Sequence, residues 1–341
     1  VIRPLSPIVS SLPNWQRSLA EAIRNPDELL DILSLSDEWR PAARRASQLF
    51  PLLATQSFVR RMRPRDPFDP LLRQVLPLAA EQDEVPGFVA DPVEDTSFRI
   101  APGVLQKYAH RALLMVTGSC AVHCRYCFRR HYPYGEEPKR LADWEPAFES
   151  LVADTSIDEV ILSGGDPLML TDQRLAAIVE RIASIPHIKR LRIHSRLPVV
   201  LPNRVTPELM GLLTNTRLTP IMVVHANHAA EIVTDAAEVL RTLVQSGVVT
   251  LNQAVLLKGI NDSFSAQRDL CLSLANLGVL PYYLHQLDRV AGAAHFEVSP
   301  TVGIAIINEL RASLPGYAVP TYVQEIPDRA SKTPVVNWRV N

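Results

Sequence analysis

Glycine and cysteine are both scarce in this chain of 341 residues, which holds 13 of the first and four of the second. So few cysteines in so long a chain argue against a disulfide framework and for a reducing, cytoplasmic setting. Basic charge is not in surplus: 35 Lys and Arg face 36 Asp and Glu, a formal net charge of -1. A general nucleic-acid binder needs cations to neutralise phosphates, so no nucleic-acid partner is expected. No apolar run reaches the ~18 residues that suggest a membrane span. The opening Val1-Ile2-Arg3-Pro4-Leu5-Ser6 lacks the basic, apolar and small-residue pattern of a signal peptide. Internal repeats and low-complexity segments are also missing. What remains is a globular composition, 47% hydrophobic and 21% charged, with 28 prolines that stiffen its connections.

Residues 1–95 read as a mostly helical region. Asn25-Pro26-Asp27-Glu28 has the form of a helix start, with a capping side chain, proline at the first position and acids in the first turn. Ser36-Asp37-Glu38-Trp39 opens another helix, and residues 94–103 read as a linker. Beyond residue 110, short apolar runs at 112–117, 159–163, 190–195, 220–225, 248–257 and 280–287 alternate with helical stretches at 144–153, 172–184, 206–215, 236–247, 265–277 and 302–314. Six strand–helix units in a row predict an α/β fold with a parallel sheet and right-handed crossovers, a partial (β/α)6 barrel over residues 96–315. Its active site is expected at the C-terminal strand ends. Residues 316–341 read as one strand followed by a loop and a tail.

Cys120-x-x-x-Cys124-x-x-Cys127 follows the first barrel strand directly. Three thiolates suit a [4Fe–4S] cluster with one iron left open, which fits a reaction centre better than an electron carrier. Zinc remains the alternative, with His123 or His131 as fourth ligand. Cys271, in an apolar helical context, reads as an ordinary buried thiol. Ser163-Gly164-Gly165-Asp166-Pro167 ends the second strand, and glycines there permit close backbone approach.

Together these segments resemble the radical S-adenosylmethionine (SAM) superfamily. Cys124-Arg125-Tyr126-Cys127-Phe128-Arg129-Arg130, His194-Ser195-Arg196, Asn252-Gln253-Ala254-Val255-Leu256-Leu257, Pro281-Tyr282-Tyr283 and Gly316-Tyr317-x-Val319-Pro320 narrow the resemblance to the lysine 2,3-aminomutases. The match runs from about residue 95 to 335 and is closest to the short branch that makes (R)-β-lysine for modification of elongation factor P. The resemblance implies an isomerase using the cluster, SAM and pyridoxal 5′-phosphate (PLP). It also implies an electron donor such as flavodoxin or ferredoxin, and a functional link to the elongation factor P ligase.

By the same resemblance, Ser163, Gly164, Gly165 and Asp166 meet SAM, and Lys332 carries PLP as a Schiff base. Arg111 and Lys107 take the PLP phosphate, and Gln253 and His225 complete the cofactor pocket. The family's glycine-rich run before the PLP lysine is replaced here by Ile326-Pro327-Asp328-Arg329-Ala330-Ser331. Arg129 matches the arginine that takes the substrate carboxylate, and a guanidinium fork suits that group. Asp288 and Glu325 match the two acids that meet the distal ammonium, although the family's lysine enzymes carry aspartate at both places. Two acids select a cation, so free lysine is the expected substrate. Another amino acid as substrate, or a non-catalytic iron–sulfur or zinc protein, are the competing readings.

Overall fold

The computed structural model describes residues 14–336. The opening segment read above for a leader, and residues 337–341 of the tail, lie outside the described residues. One sheet of ten strands runs in chain order. Seven of its strands are parallel: β3 (Arg111–Thr117), β4 (Glu159–Gly164), β5 (Arg190–Ser195), β6 (Thr219–Val224), β7 (Val249–Val255), β8 (Leu280–His285) and β9 (Thr321–Gln324). The hairpin of β1 (Arg99–Ala101) and β2 (Val104–Leu105) adds antiparallel to β3, and β10 (Thr333–Pro334) adds antiparallel to β9. No pairing joins β1 to β10 among the described residues, so the barrel is partial. All six expected strand–helix units are present, and the strand expected after residue 316 becomes the seventh parallel strand.

The crossover helices are Glu145–Ala153, Asp172–Ala183, Pro207–Thr214, Thr234–Gln245, Phe264–Ala275 and Pro300–Ser313. Asp172–Ala183 shows why they form. The Thr171 side chain caps its first turn, and Leu175, Ile178, Val179 and Ile182 recur on one buried face. The strands beneath alternate with period two. On β5, Leu191 and Ile193 enter the core, while Arg192 and His194 point into the barrel mouth. That polar face is possible only because the barrel interior is a cavity at this height.

The region before the sheet shares the barrel's hydrophobic core, which extends without a break from Trp15 through Leu78 to Tyr322. Asn25 caps Pro26–Ile32 as its sequence requires, its side chain accepting from Asp27 N at 2.9 Å. Helical character fades after Gln56–Val59 into 3-10 turns and loops. The expected linker at 94–103 is corrected: it contains a 3-10 turn, Asp95–Phe98, and strand β1. Buried Asp95 anchors it through ion pairs to Arg129 and Lys107.

A buried ion triad ties the early region to the loop after β3. Glu81 accepts from Arg125 at 2.5 and 2.8 Å and from Arg130 at 3.0 Å. All three side chains are withdrawn from water. Glu81→Ala would leave two buried guanidiniums without their carboxylate, a loss of about 3–5 kcal/mol. Chemical denaturation should show it as a lowered midpoint with an unchanged slope.

Candidate active site

The loop Gly118–Arg130 leaves β3 at the C-terminal edge of the sheet and carries the three clustered cysteines. Burial pushes the Cys127 thiol up to about 11, with the neighbouring Cys124 adding to the effect. Cys120 is pushed well up by burial and then by Cys127. Thiols that resist ionisation through burial and mutual repulsion suit a site where a cationic iron cluster compensates them. The zinc alternative finds no support. His123 turns its Nδ1 to Pro51 O at 2.9 Å, and His131 turns its Nε2 to Ala291 O at 3.3 Å. Among the described residues no three His, Cys, Asp or Glu side chains converge on a single-ion site. Cys271 sits in the core away from this loop, as expected.

The glycines of Ser163-Gly164-Gly165-Asp166 serve the protein's own packing. Gly164 has φ +126°, and a Cβ there would strike Thr117 O. A Cβ on Gly165 would strike Ser119 O and the Gly118 backbone. Gly165 N donates to Thr117 O at 2.7 Å, and Asp166 N to Ser119 O at 2.8 Å, so this turn is stitched to the cysteine loop. The Asp166 carboxylate accepts from Ser195 Oγ, Arg196 N and Leu168 N at 2.7–3.0 Å. Burial pushes it up to about 6 against those bonds. Asp166 thus aligns the β4 and β5 ends, and it also lines the cavity beside the glycines expected to meet SAM.

One cavity of about 320 Å³ joins this loop to Lys332. At one side Arg129 donates from Nε to Asp95 Oδ2 at 2.6 Å and from Nη1 to Ser163 Oγ at 3.0 Å. At the other side Lys332 donates to Glu325 at 2.5 Å, and Glu325 also accepts from the Tyr108 hydroxyl at 2.5 Å. Burial works against the Glu325 carboxylate, but Lys332, Tyr108 and Lys107 outweigh it and hold its pKa low. Asp288, facing the same cavity, is pushed up to about 7 by burial, with Glu325 adding to the shift and Lys332 opposing it.

Lys107, expected on a phosphate, is engaged by acids in this structure. Its ammonium lies 3.0 Å from Asp95 Oδ1 and 3.9 Å from Glu325 Oε1, and it donates to Val93 O. There it balances the charge of both acids while lining the cavity. Arg111 fits better: it lies over the Tyr108 ring at 4.8 Å and has no carboxylate partner among the described residues. Gln253 donates to His225 Nε2 at 3.0 Å, and burial pushes His225 down to about 3. Both face the cavity.

Sequence reasoning missed four residues here. His194 and His285 are neutral through burial, line the cavity, and have Nε2 atoms without partners among the described residues. Buried unsatisfied atoms aimed into a cavity, beside a glycine turn and three thiols, fit bound polar cofactors. Alternation on β5 was a usable signal for His194. Asp95 and Tyr108 gave none, because their partners lie 34 and 217 positions away.

A parallel partial barrel with three cysteines after its first parallel strand, stitched to a glycine turn after the second, defines a radical SAM enzyme. Residues 114–264 match the radical SAM superfamily. The chain is 45% identical over 326 residues to an L-lysine 2,3-aminomutase of Escherichia coli, covering 95% of each chain. It is 42% identical to that of Haemophilus influenzae, over 97% of this chain and 98% of the relative. It is 32% identical to that of Clostridium subterminale, over 95% of this chain and 78% of the relative. This chain belongs to the lysine 2,3-aminomutase family. It is an isomerase that works with a [4Fe–4S] cluster, SAM and PLP.

Gly165→Ala forces a side chain into the Ser119 carbonyl, and overpacking of this kind costs about 1–3 kcal/mol. The expected outcome is a lower melting temperature and reduced iron content after reconstitution, with Gly211→Ala as a control where the added Cβ meets nothing closer than 3.6 Å.

Proposed function

We propose that the chain converts free L-α-lysine to (R)-β-lysine in the cytoplasm, and that the product serves modification of elongation factor P. The observation that carries the substrate reading is the charge layout of one cavity, with Arg129 on one side and the Asp288–Glu325 pair beside Lys332 on the other. An α-amino acid with a distal ammonium matches both ends. An amino acid with a neutral or acidic side chain would bring no cation of its own to these two acids.

Cys120, Cys124 and Cys127 would hold the cluster, with Ser163, Gly164 and Gly165 bordering SAM. Lys332 would carry PLP and Arg111 its phosphate. When bound, the cluster and SAM supply hydrogen-atom abstraction, and PLP supplies a carrier for the migrating nitrogen. The chain's own residues position and shield. Asp95 and Ser163 fix the plane of the Arg129 guanidinium and leave its Nη2 for the substrate carboxylate. Glu325 and Asp288 take the distal ammonium and orient the carbon chain between the two ends. His194, His225 and His285 stay neutral and add no charge to the cavity floor. The barrel wall keeps water from the reacting atoms.

The higher identity to the two relatives matched along nearly their whole length supports the short branch. A low-potential donor such as flavodoxin or ferredoxin would supply the electron, and the elongation factor P ligase would be the functional partner. No nucleic-acid or membrane partner is proposed: charge is balanced, and no described helix is long and apolar enough to cross a membrane.

The direct test is anaerobic. Protein reconstituted with iron and sulfide is given SAM, PLP, dithionite and L-lysine, and β-lysine is sought by derivatised chiral chromatography. Formation of the R product supports the reading, whereas SAM cleavage without β-lysine would mean a different substrate. Lys332→Ala should lose the PLP imine absorbance; an unchanged band moves that role to another lysine. Because an ammonium binds ionised Asp288, kcat/KM for lysine should fall by up to about tenfold per pH unit below about pH 7. Asp288→Asn should abolish that slope and raise KM across the range.

A further inference from the structure

Arg196 stands where β5 ends, directly before the short helix Leu197–Val200. It is only 4% exposed and faces the cavity behind the cysteine loop. Its Nη1 donates to Cys124 Sγ and to the Tyr126 hydroxyl, both at 2.7 Å. Its Nη2 donates to Gln74 Oε1 at 2.6 Å and to Glu231 Oε2 at 3.0 Å. Glu231 is wholly buried and also accepts from Gln74 Nε2 and from the backbone of Asn227 and His228. Asp166 holds the Arg196 backbone N at 2.7 Å, fixing the residue from behind. The substrate and PLP contacts described above make no use of this arginine, yet four separate chain segments converge on it.

We propose that Arg196 is a positioning residue that sets the reduction potential of the cluster, through a charged hydrogen bond to the Cys124 sulfur that Glu231 partly offsets. This rests on the reading that Cys120, Cys124 and Cys127 hold the cluster. Reduction adds one electron, and so one negative charge, to the cluster, supplied by a low-potential one-electron donor. Part of that charge resides on the thiolate sulfurs. A guanidinium N–H on a sulfur stabilises the reduced form more than the oxidised form and raises the potential. Low local polarity strengthens the effect. Glu231 contacts the opposite nitrogen of the same guanidinium, so it opposes from farther away, and the nearer cation prevails. Without Glu231 the arginine would be a buried charge lacking its counterion. The pair thus keeps a cation against the cluster while leaving the potential low enough for reductive chemistry.

The test uses full-length protein reconstituted with iron and sulfide, in wild-type form and as Arg196→Met, Arg196→Lys and Glu231→Gln. Iron and sulfide per chain are measured first, then the midpoint by potentiometry followed by electron paramagnetic resonance with dithionite. Arg196→Met should make reduction at least tenfold less favourable, a shift of about 59 mV to more negative potential for a one-electron couple. Glu231→Gln should shift it in the opposite direction, and Arg196→Lys should recover part of the loss. Midpoints equal to wild type in variants with full clusters would overturn the proposal. Should Arg196→Met fail to assemble a cluster, the shifts in Arg196→Lys and Glu231→Gln decide in the same way. Wild-type protein without iron would instead sink the cysteine assignment itself.

Discussion

Arg125, Arg129 and Arg130 follow Cys124 within six positions, and each turns away from water to a carboxylate from the segment that precedes the sheet. Glu81 takes Arg125 and Arg130, and Asp95 takes Arg129. Buried guanidiniums are tolerated only with such partners. The cysteine loop therefore cannot adopt its shape until residues 81–95 have packed against it. The early region contributes the anions that allow a cation-rich loop to sit inside the protein, as well as apolar mass to the core. Arg196 repeats the device two strands further on, with Glu231 as its carboxylate.

The same pairing orders the cavity wall. Arg129, Asp95, Lys107, Glu325 and Lys332 form an alternating series of charges from the cysteine loop to the C-terminal strand. Each charge is held by neighbours of the opposite sign, so Arg129 stays fixed at one end of the site and Glu325 at the other. Three imidazoles on the floor remain neutral because burial disfavours their cations, which preserves that polarity. Rigid ends and a neutral floor are what an enzyme needs to hold a flexible substrate while a reactive species forms nearby.

Most of the barrel was legible from periodicity. The six strands and six helices fall within a few residues of their expected bounds, because each helix must bury one apolar face against the sheet. Gly164 and Gly165 were legible as a turn, but the reason for them was not: the atoms they accommodate are the 117–119 backbone, 46 or 47 positions upstream by sequence number. The acid partners of Lys107 were hidden for a related reason. A lysine beside a strand start looks available to a phosphate until Asp95 and Glu325 are seen around it. Asp95 itself looked like part of a linker, since nothing local marks an acid whose partners come from other loops.

By itself the sequence determined the order of elements, the close spacing of three thiols in residues 120–127 and the period-two polar face on β5, because these depend on neighbours within a few residues. Family resemblance added which side chains to watch. Tertiary structure alone decided which charges meet: Asp95 with Arg129, Glu325 with Lys332, Glu231 with Arg196. Ion pairs act over a few ångströms of space and carry no periodic trace along the chain. Their partners are set only when the parallel sheet brings its C-terminal loops to one edge.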